Sequence, residues 1–273
     1  MRFDMNEAWR IASAMIRANR QVLLILAGVF FFLPSFAMAL LAPMPEVTES
    51  MSGDDYLNLV STYYGESSGL FILVGIAQAV GVLALLALLS DRRPTVGEAL
   101  QTGAKSLLPY VAAQLLLGLC FGAGAMLAMG VAAVSGSPGM AMTLILLMLP
   151  AFFYVATKMS LTAPVMVIDG IRNPIRALGR SWTLTRGNSL RLFGFYALVF
   201  IAFMVVLMIA SLISGIVVAL LLGQGQGQGA QAANGVVSGV VGAVMVVYFV
   251  AIVAAAHRQL SGPSADNLAD TFS

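Results

Sequence analysis

Arg172, Arg176 and Arg180 stand at i, i+4 and i+8, a spacing that aligns three guanidinium groups along one side of a helix. Guanidinium groups grip phosphate oxygens in bidentate fashion. The chemistry this series offers is therefore capture of anionic phospholipid headgroups or of an acidic partner, with Trp182 anchoring the same helix at a membrane interface. Ile175, Leu178 and Trp182 occupy the helix's other side, as expected of a segment lying at headgroup level. The simpler role for the three arginines is to fix which side of the membrane the segment stays on and to snorkel.

The remaining reactive side chains do not assemble into a catalytic or metal site. His257 is the one histidine, next to Arg258, where it is expected to be an interfacial anchor. Cys120 is the one cysteine and sits in an apolar run, so no disulfide or multi-cysteine metal site can form within the chain, and a small core residue is expected there. Catalysis needs a base, a nucleophile or metal ligands brought together. No enzyme activity, no metal and no cofactor are expected.

Among polar residues in apolar surroundings, Gln78, Gln114 and Thr143 are expected to serve helix packing rather than a translocation path. The pairs Gly118/Gly122 and Gly235/Gly239 have the four-residue spacing that lets membrane helices approach closely. Pro34, Pro109 and Pro150 mark expected kinks or helix ends.

The elements that must carry these residues follow from composition. The chain of 273 residues is 60% hydrophobic and only 10% charged, with a mean hydropathy of +0.94, whereas soluble domains carry roughly 25% charge. Residues 21–45, 67–90, 106–157 and 192–257 contain no Asp, Glu, Lys or Arg. A hydrocarbon layer of about 30 Å takes roughly 20 apolar residues as helix. The chain is thus expected to be all-α, a polytopic membrane protein with spans near 21–43, 69–90, 108–134, 139–160, 191–222 and 236–256. Residues 1–260 form a single membrane domain, the glycine and glutamine run Gly223–Gly229 a flexible turn, and 261–273 a disordered tail.

Sidedness follows from the basic residues. All 14 Lys and Arg fall before the first span, between the second and third, between the fourth and fifth, or after the sixth. The other three connections hold none, and residues 44–68 carry Glu46, Glu49, Asp54, Asp55 and Glu66. Both termini are therefore expected in the cytoplasm. Ala37-Met38-Ala39 has the small-x-small pattern of a signal cleavage site, but the apolar stretch is longer than the 7 to 15 residues typical of such signals, so the first span is expected to be retained.

A threefold pattern organises the spans. Each hairpin is preceded on the basic side by a capped segment with an apolar stripe. Asp4 caps a segment carrying Ala8, Ile11, Ala12, Met15 and Ile16. Thr95 and Glu98 form a capping box after Pro94, and Asn173 caps a helix that starts with Pro174. Four residues beyond each cap stands an alanine: Ala8, Ala99 and Ala177. The repeating unit is one short interfacial helix followed by a transmembrane hairpin.

The stretch APVMVIDGIRNPIRALGRSWTLTRGNSLRLF, residues 163–193, resembles the signature of a bacterial family, the glycerophosphoryl diester phosphodiesterase membrane domain and related inner-membrane proteins. The resemblance implies a bacterial inner-membrane location and a connection to phospholipids or their breakdown products. It does not imply the phosphodiesterase activity, which belongs to a soluble domain with a His-Arg-Gly start and a second histidine; here His257 is followed by Arg258 and Gln259. The expected function is a non-enzymatic membrane scaffold or accessory subunit contacting anionic phospholipid, another membrane protein or a second copy of itself. The alternative is a transporter or channel for a small or lipid-derived solute. Nothing in the charge pattern suggests nucleic acid.

Overall fold

A computed structural model describes residues 2–43, 45, 51–92, 94–222 and 228–262. Glu46, Glu49, Arg93, residues 223–227 of the glycine and glutamine run, and the tail from Pro263 lie outside the described residues. The described chain is all-α: α1 (Met5–Ala27), a π-helical turn (Gly28–Phe32), α2 (Leu33–Leu41), α3 (Gly53–Leu88), α4 (Val96–Ser135), α5 (Pro138–Met159), α6 (Thr162–Val167), α7 (Pro174–Leu184), α8 (Ser189–Leu222) and α9 (Gln228–Ser261). Six of the resulting helical stretches are long and apolar enough to cross a membrane, and the protein is a multi-pass membrane protein.

The helices overrun the apolar segments because each begins at its cap. Asp4 accepts from the Glu7 amide, Thr95 and Glu98 exchange the reciprocal bonds of a capping box, and Asn173 accepts from the Arg176 amide. In the first unit the capped segment runs into the span through a bend at Asn19 (φ −119°, ψ 16°), whose side-chain amide donates to the Met15 carbonyl at 3.0 Å. In the second the helix continues without interruption through Pro109, and α5 likewise continues through Pro150. Pro34 stands at the start of α2, just after the π-helical turn. In the third unit α7 is separated from α8 by a turn in which Gly187 adopts φ +80°, a conformation that costs glycine little.

Each capped segment packs on the second membrane helix of the preceding unit, and the ring closes on itself. The start of α4 lies on the end of α3, where a Cβ on Gly103 would fall 2.9 Å from the Ala84 amide nitrogen. Ser181 of α7 donates to the Lys158 carbonyl at the end of α5, 2.7 Å away. The start of α1 meets the end of α9: the Asp4 amide donates to Gln259 Oε1, Gln259 Nε2 donates to the Asp4 carbonyl, and Trp9 stacks on Tyr248 at 6.0 Å. The residues facing these contacts are small at two successive turns, Ala8 and Ala12, Ala99 and Gly103, Ala177 and Ser181, and all six are buried. Close approach of backbones through small residues is how helices gain contact where lipid removes the hydrophobic drive.

The core lies at this basic end. It is built from the inner ends of the second helices: Leu83 to Leu89 of α3 and its C-terminal turn and Val250 to Ala256 of α9 are buried throughout, as are Leu161 to Val167 around α6 apart from the half-buried Ala163. At the opposite end the helices separate. Gly235 and Gly239 of α9 do pack closely, against Ala39 and Phe32, but Gly118 and Gly122 of α4 have nothing within 4 Å. Cys120 is exposed on the surface of α4 rather than buried, on the same stretch as Gly118 and Gly122, where the described residues offer no close neighbour to either glycine.

Candidate functional site

The polar groups of the basic end meet where the three second helices finish. α9 ends in His257 and Arg258, and each reaches an aspartate from another unit. Arg258 Nη2 lies 3.1 Å from Asp91 Oδ1, and His257 Nε2 lies 3.2 Å from Asp169 Oδ1. Asp91 stands four residues before the Thr95 cap and Asp169 four residues before the Asn173 cap, so the two aspartates occupy the same place in their units. Consecutive residues of one helix thus hold the turns that launch the other two capped segments. Gly170, at φ +74°, makes the bend after Asp169.

The two pairs differ in burial. Asp91 and Arg258 are about half exposed, at 46% and 50%, and such a pair contributes roughly 0–1 kcal/mol. His257 is 2% exposed, so the interfacial anchor expected for it is not what the fold makes of it. Its neighbours along α9, Ala254 to Ala256, are buried with it, because the helix end is enclosed by the other units. The Asp169 carboxylate lies close to Nε2 yet off the N–H direction, leaving Nε2 without a linear hydrogen bond. The contact is electrostatic. The second oxygen of Asp169 faces Arg180 Nε at 3.8 Å.

The arginine series is divided accordingly. Helix α7 starts at Pro174, so Arg172 precedes the cap and does not continue the helical row. Arg176 is exposed on the helix, and Arg180 turns toward Asp169. The apolar side is divided as well. Ala177, Ser181 and Leu184 face the protein, whereas Ile175 is 70% exposed and Trp182 39% exposed. Helix α7 therefore has three surfaces: small residues inward, large apolar residues outward, and arginines between solvent and Asp169.

Trp182 also meets α5. Its ring packs edge-on against Tyr154 at 5.9 Å, and the Lys158 ammonium lies 5.2 Å from the Trp182 centroid and 5.6 Å from that of Tyr154. Beside the Asp91–Arg258 pair, a half-open cavity of about 550 Å³ is lined by Arg10, Met15, Asn19 and Leu89.

No protein-family model, curated protein or solved structure matches this chain. Among the described residues no group of three or more His, Cys, Asp or Glu could hold a metal ion. Gln114 and Thr143 do not face a common interior: both are exposed, Gln114 donating to the Tyr110 hydroxyl and Thr143 to the Gly139 carbonyl. Asp91, Asp169 and Lys158 were not singled out by their sequence context. Aligning the units on their caps is the signal that brings the two aspartates into register.

Proposed function

We propose that the protein is a non-enzymatic membrane scaffold or accessory subunit whose basic end sits among the anionic phospholipid headgroups of the cytoplasmic leaflet. One observation carries this. On α7 and its approach, Arg172 and Arg176 are exposed and have no acidic partner among the described residues, while Ile175 and Trp182 of the same helix stand exposed beside them. Cations and large apolar groups sharing one outward surface suit the boundary between headgroups and acyl chains, where each Lys or Arg near an anionic leaflet contributes about 1 kcal/mol. The capped segments of the other units place Trp9 and Val96 on the surface at the same end of the molecule. The resemblance of residues 163–193 supports a bacterial inner-membrane protein tied to phospholipids, and the confinement of Lys and Arg to alternate connections supports both termini in the cytoplasm.

The test is native mass spectrometry of protein extracted in mild detergent. The wild type is expected to retain anionic phospholipid, and Arg172→Ala combined with Arg176→Ala to lose most of it. Adding Arg180→Ala should unsettle Asp169 as well, which is why the double variant is the decisive one. Full retention of anionic lipid by the double variant, with topology unchanged, overturns the proposal. A stoichiometric partner protein in the same spectrum would identify what the scaffold serves.

A further inference from the structure

Lys158, in the last turn of α5, is the one described lysine or arginine that is buried, the residue being 3% exposed. An ammonium withdrawn from water at the edge of a membrane needs a counter-charge or hydrogen-bond acceptors. Among the described residues Lys158 has neither: its side chain makes no hydrogen bond and no ion pair. What it has is the faces of Tyr154 and Trp182, an attraction of roughly 0.5–2 kcal/mol, while Arg186 stands four residues beyond Trp182 in the turn that closes α7, its amide donating to the Thr183 carbonyl. Arg186 is exposed in the turn after α7 and likewise has no acidic partner among the described residues. A buried lysine held against two partly exposed aromatic rings, with an exposed arginine four residues beyond one of those rings, offers a phosphate two cations from one junction of helices.

We infer that Lys158 and Arg186 form a phosphate-binding site at the junction of α5, α7 and α8, with Tyr154 and Trp182 as its walls. The ligand is a phosphoester of net negative charge, carried either by an anionic lipid headgroup or by a soluble compound; a zwitterionic phosphodiester, whose own ammonium answers its phosphate, is excluded. Arg186 at the rim meets the phosphate first and Lys158 receives it at depth, the rings adjusting around it. The lipid source rests on the placement of this end among headgroups argued above; the phosphate site itself does not.

Trp182 provides the readout. With Trp9→Phe as background, Trp182 is the sole tryptophan, and its emission is followed in delipidated full-length protein during titration with dioctanoyl phosphatidylglycerol, dioctanoyl phosphatidylcholine and glycerol phosphate. Saturable change with phosphatidylglycerol is expected, at least about tenfold weaker in Lys158→Met, the loss of one charge-assisted contact, and largely kept in Lys158→Arg. Saturation by glycerol phosphate at the same affinity keeps the site and assigns it a soluble phosphoester. Unchanged affinity in both Lys158→Met and Arg186→Gln overturns the site, as does a response to phosphatidylcholine equal to that to phosphatidylglycerol. Circular dichroism and thermal melting establish that the variants are folded. If Arg172→Ala with Arg176→Ala keeps its lipid while the titration still depends on Lys158, the α7 proposal fails and this one stands.

Discussion

At the basic end of α4, Gly103 sits so close to α3 that a Cβ there would meet the Ala84 amide nitrogen at 2.9 Å and the Val80 carbonyl oxygen at 3.1 Å; further along the same helix, Gly118 has nothing within 4 Å. One helix thus passes from a region built by protein contacts to one in which few are available. The inner ends of α3, α6 and α9 are sealed by neighbours, cross-linked by His257 and Arg258, and surrounded by capped segments. The far half of the α4 and α5 hairpin leaves Leu119, Leu127, Val134 and Leu147 on the surface. In water that surface would be a liability, but lipid tails are as apolar as leucine and cover it without a specific partner. The uniqueness of the fold resides in the basic end and in the packing of α9 on α2 and the π-helical turn, whereas the far half of the α4 and α5 hairpin takes its shape from chain length and solvent.

The sharpest way to break this comparison is to add volume at matched positions. Gly103→Leu drives a side chain into the backbone of α3, which cannot move aside, and should cost about 3 kcal/mol or more. Gly118→Leu enters open space and should stay within about 0.5 kcal/mol. Thermal unfolding in a mild detergent, read with the yield of monodisperse protein, checks both. Equal losses would mean that the far half is held by contacts as exacting as those of the basic end.

A smaller effect separates the two aspartates. Asp169→Asn leaves His257 and Arg180 without their anion in a setting where the histidine is 2% exposed, and should destabilise by about 2 kcal/mol. Asp91→Asn breaks a pair that solvent already screens, and about 0–1 kcal/mol is expected. The same melts measure the difference. If the order is reversed, the half-exposed pair is the one that holds the units together.

Several parts of this architecture were legible in sequence for a physical reason. Six spans follow from hydropathy because lipid forces backbone groups into helices, and Asp4, Thr95 and Asn173 were readable as caps because capping is a local, short-range exchange of hydrogen bonds. The shared place of Ala8, Ala99 and Ala177 after those caps was readable too, while their burial belongs to the packing. What escaped depends on long-range packing. Nothing local distinguishes Gly103, held against α3, from Gly118, held against nothing. His257 reads as an anchor beside Arg258 until the other units enclose it. Lys158 reads as a topology signal until Trp182, from the next unit, closes over it. The arginine row assumed that the helix included Arg172, whereas with Asn173 as the cap the helix starts at Pro174, two residues later than that row requires.

The smallest effect sharpens the comparison at the level of a single hydrogen bond. Thr95 accepts from the Glu98 amide while Glu98 Oε2 accepts from the Thr95 amide at 2.8 Å, so Thr95→Ala removes one half of a reciprocal pair and exposes an amide at the start of α4. The expected cost is about 1 kcal/mol. Ser137 occupies the corresponding place at the far end, before α5, yet its side chain makes no capping bond; Pro138 follows it and has no amide hydrogen to satisfy. Ser137→Ala should therefore change stability by no more than a few tenths of a kcal/mol. Serine and threonine are both favoured cap residues, and what separates the two positions in sequence is Glu98, three residues after Thr95, where Met140 stands three residues after Ser137. If melting separates them as expected, the hydrogen bond rather than the residue type fixes the start of each helix; if Ser137→Ala costs as much as Thr95→Ala, the tight turn between α4 and α5 depends on that hydroxyl, and the far end is more specifically built than its exposed surface indicates.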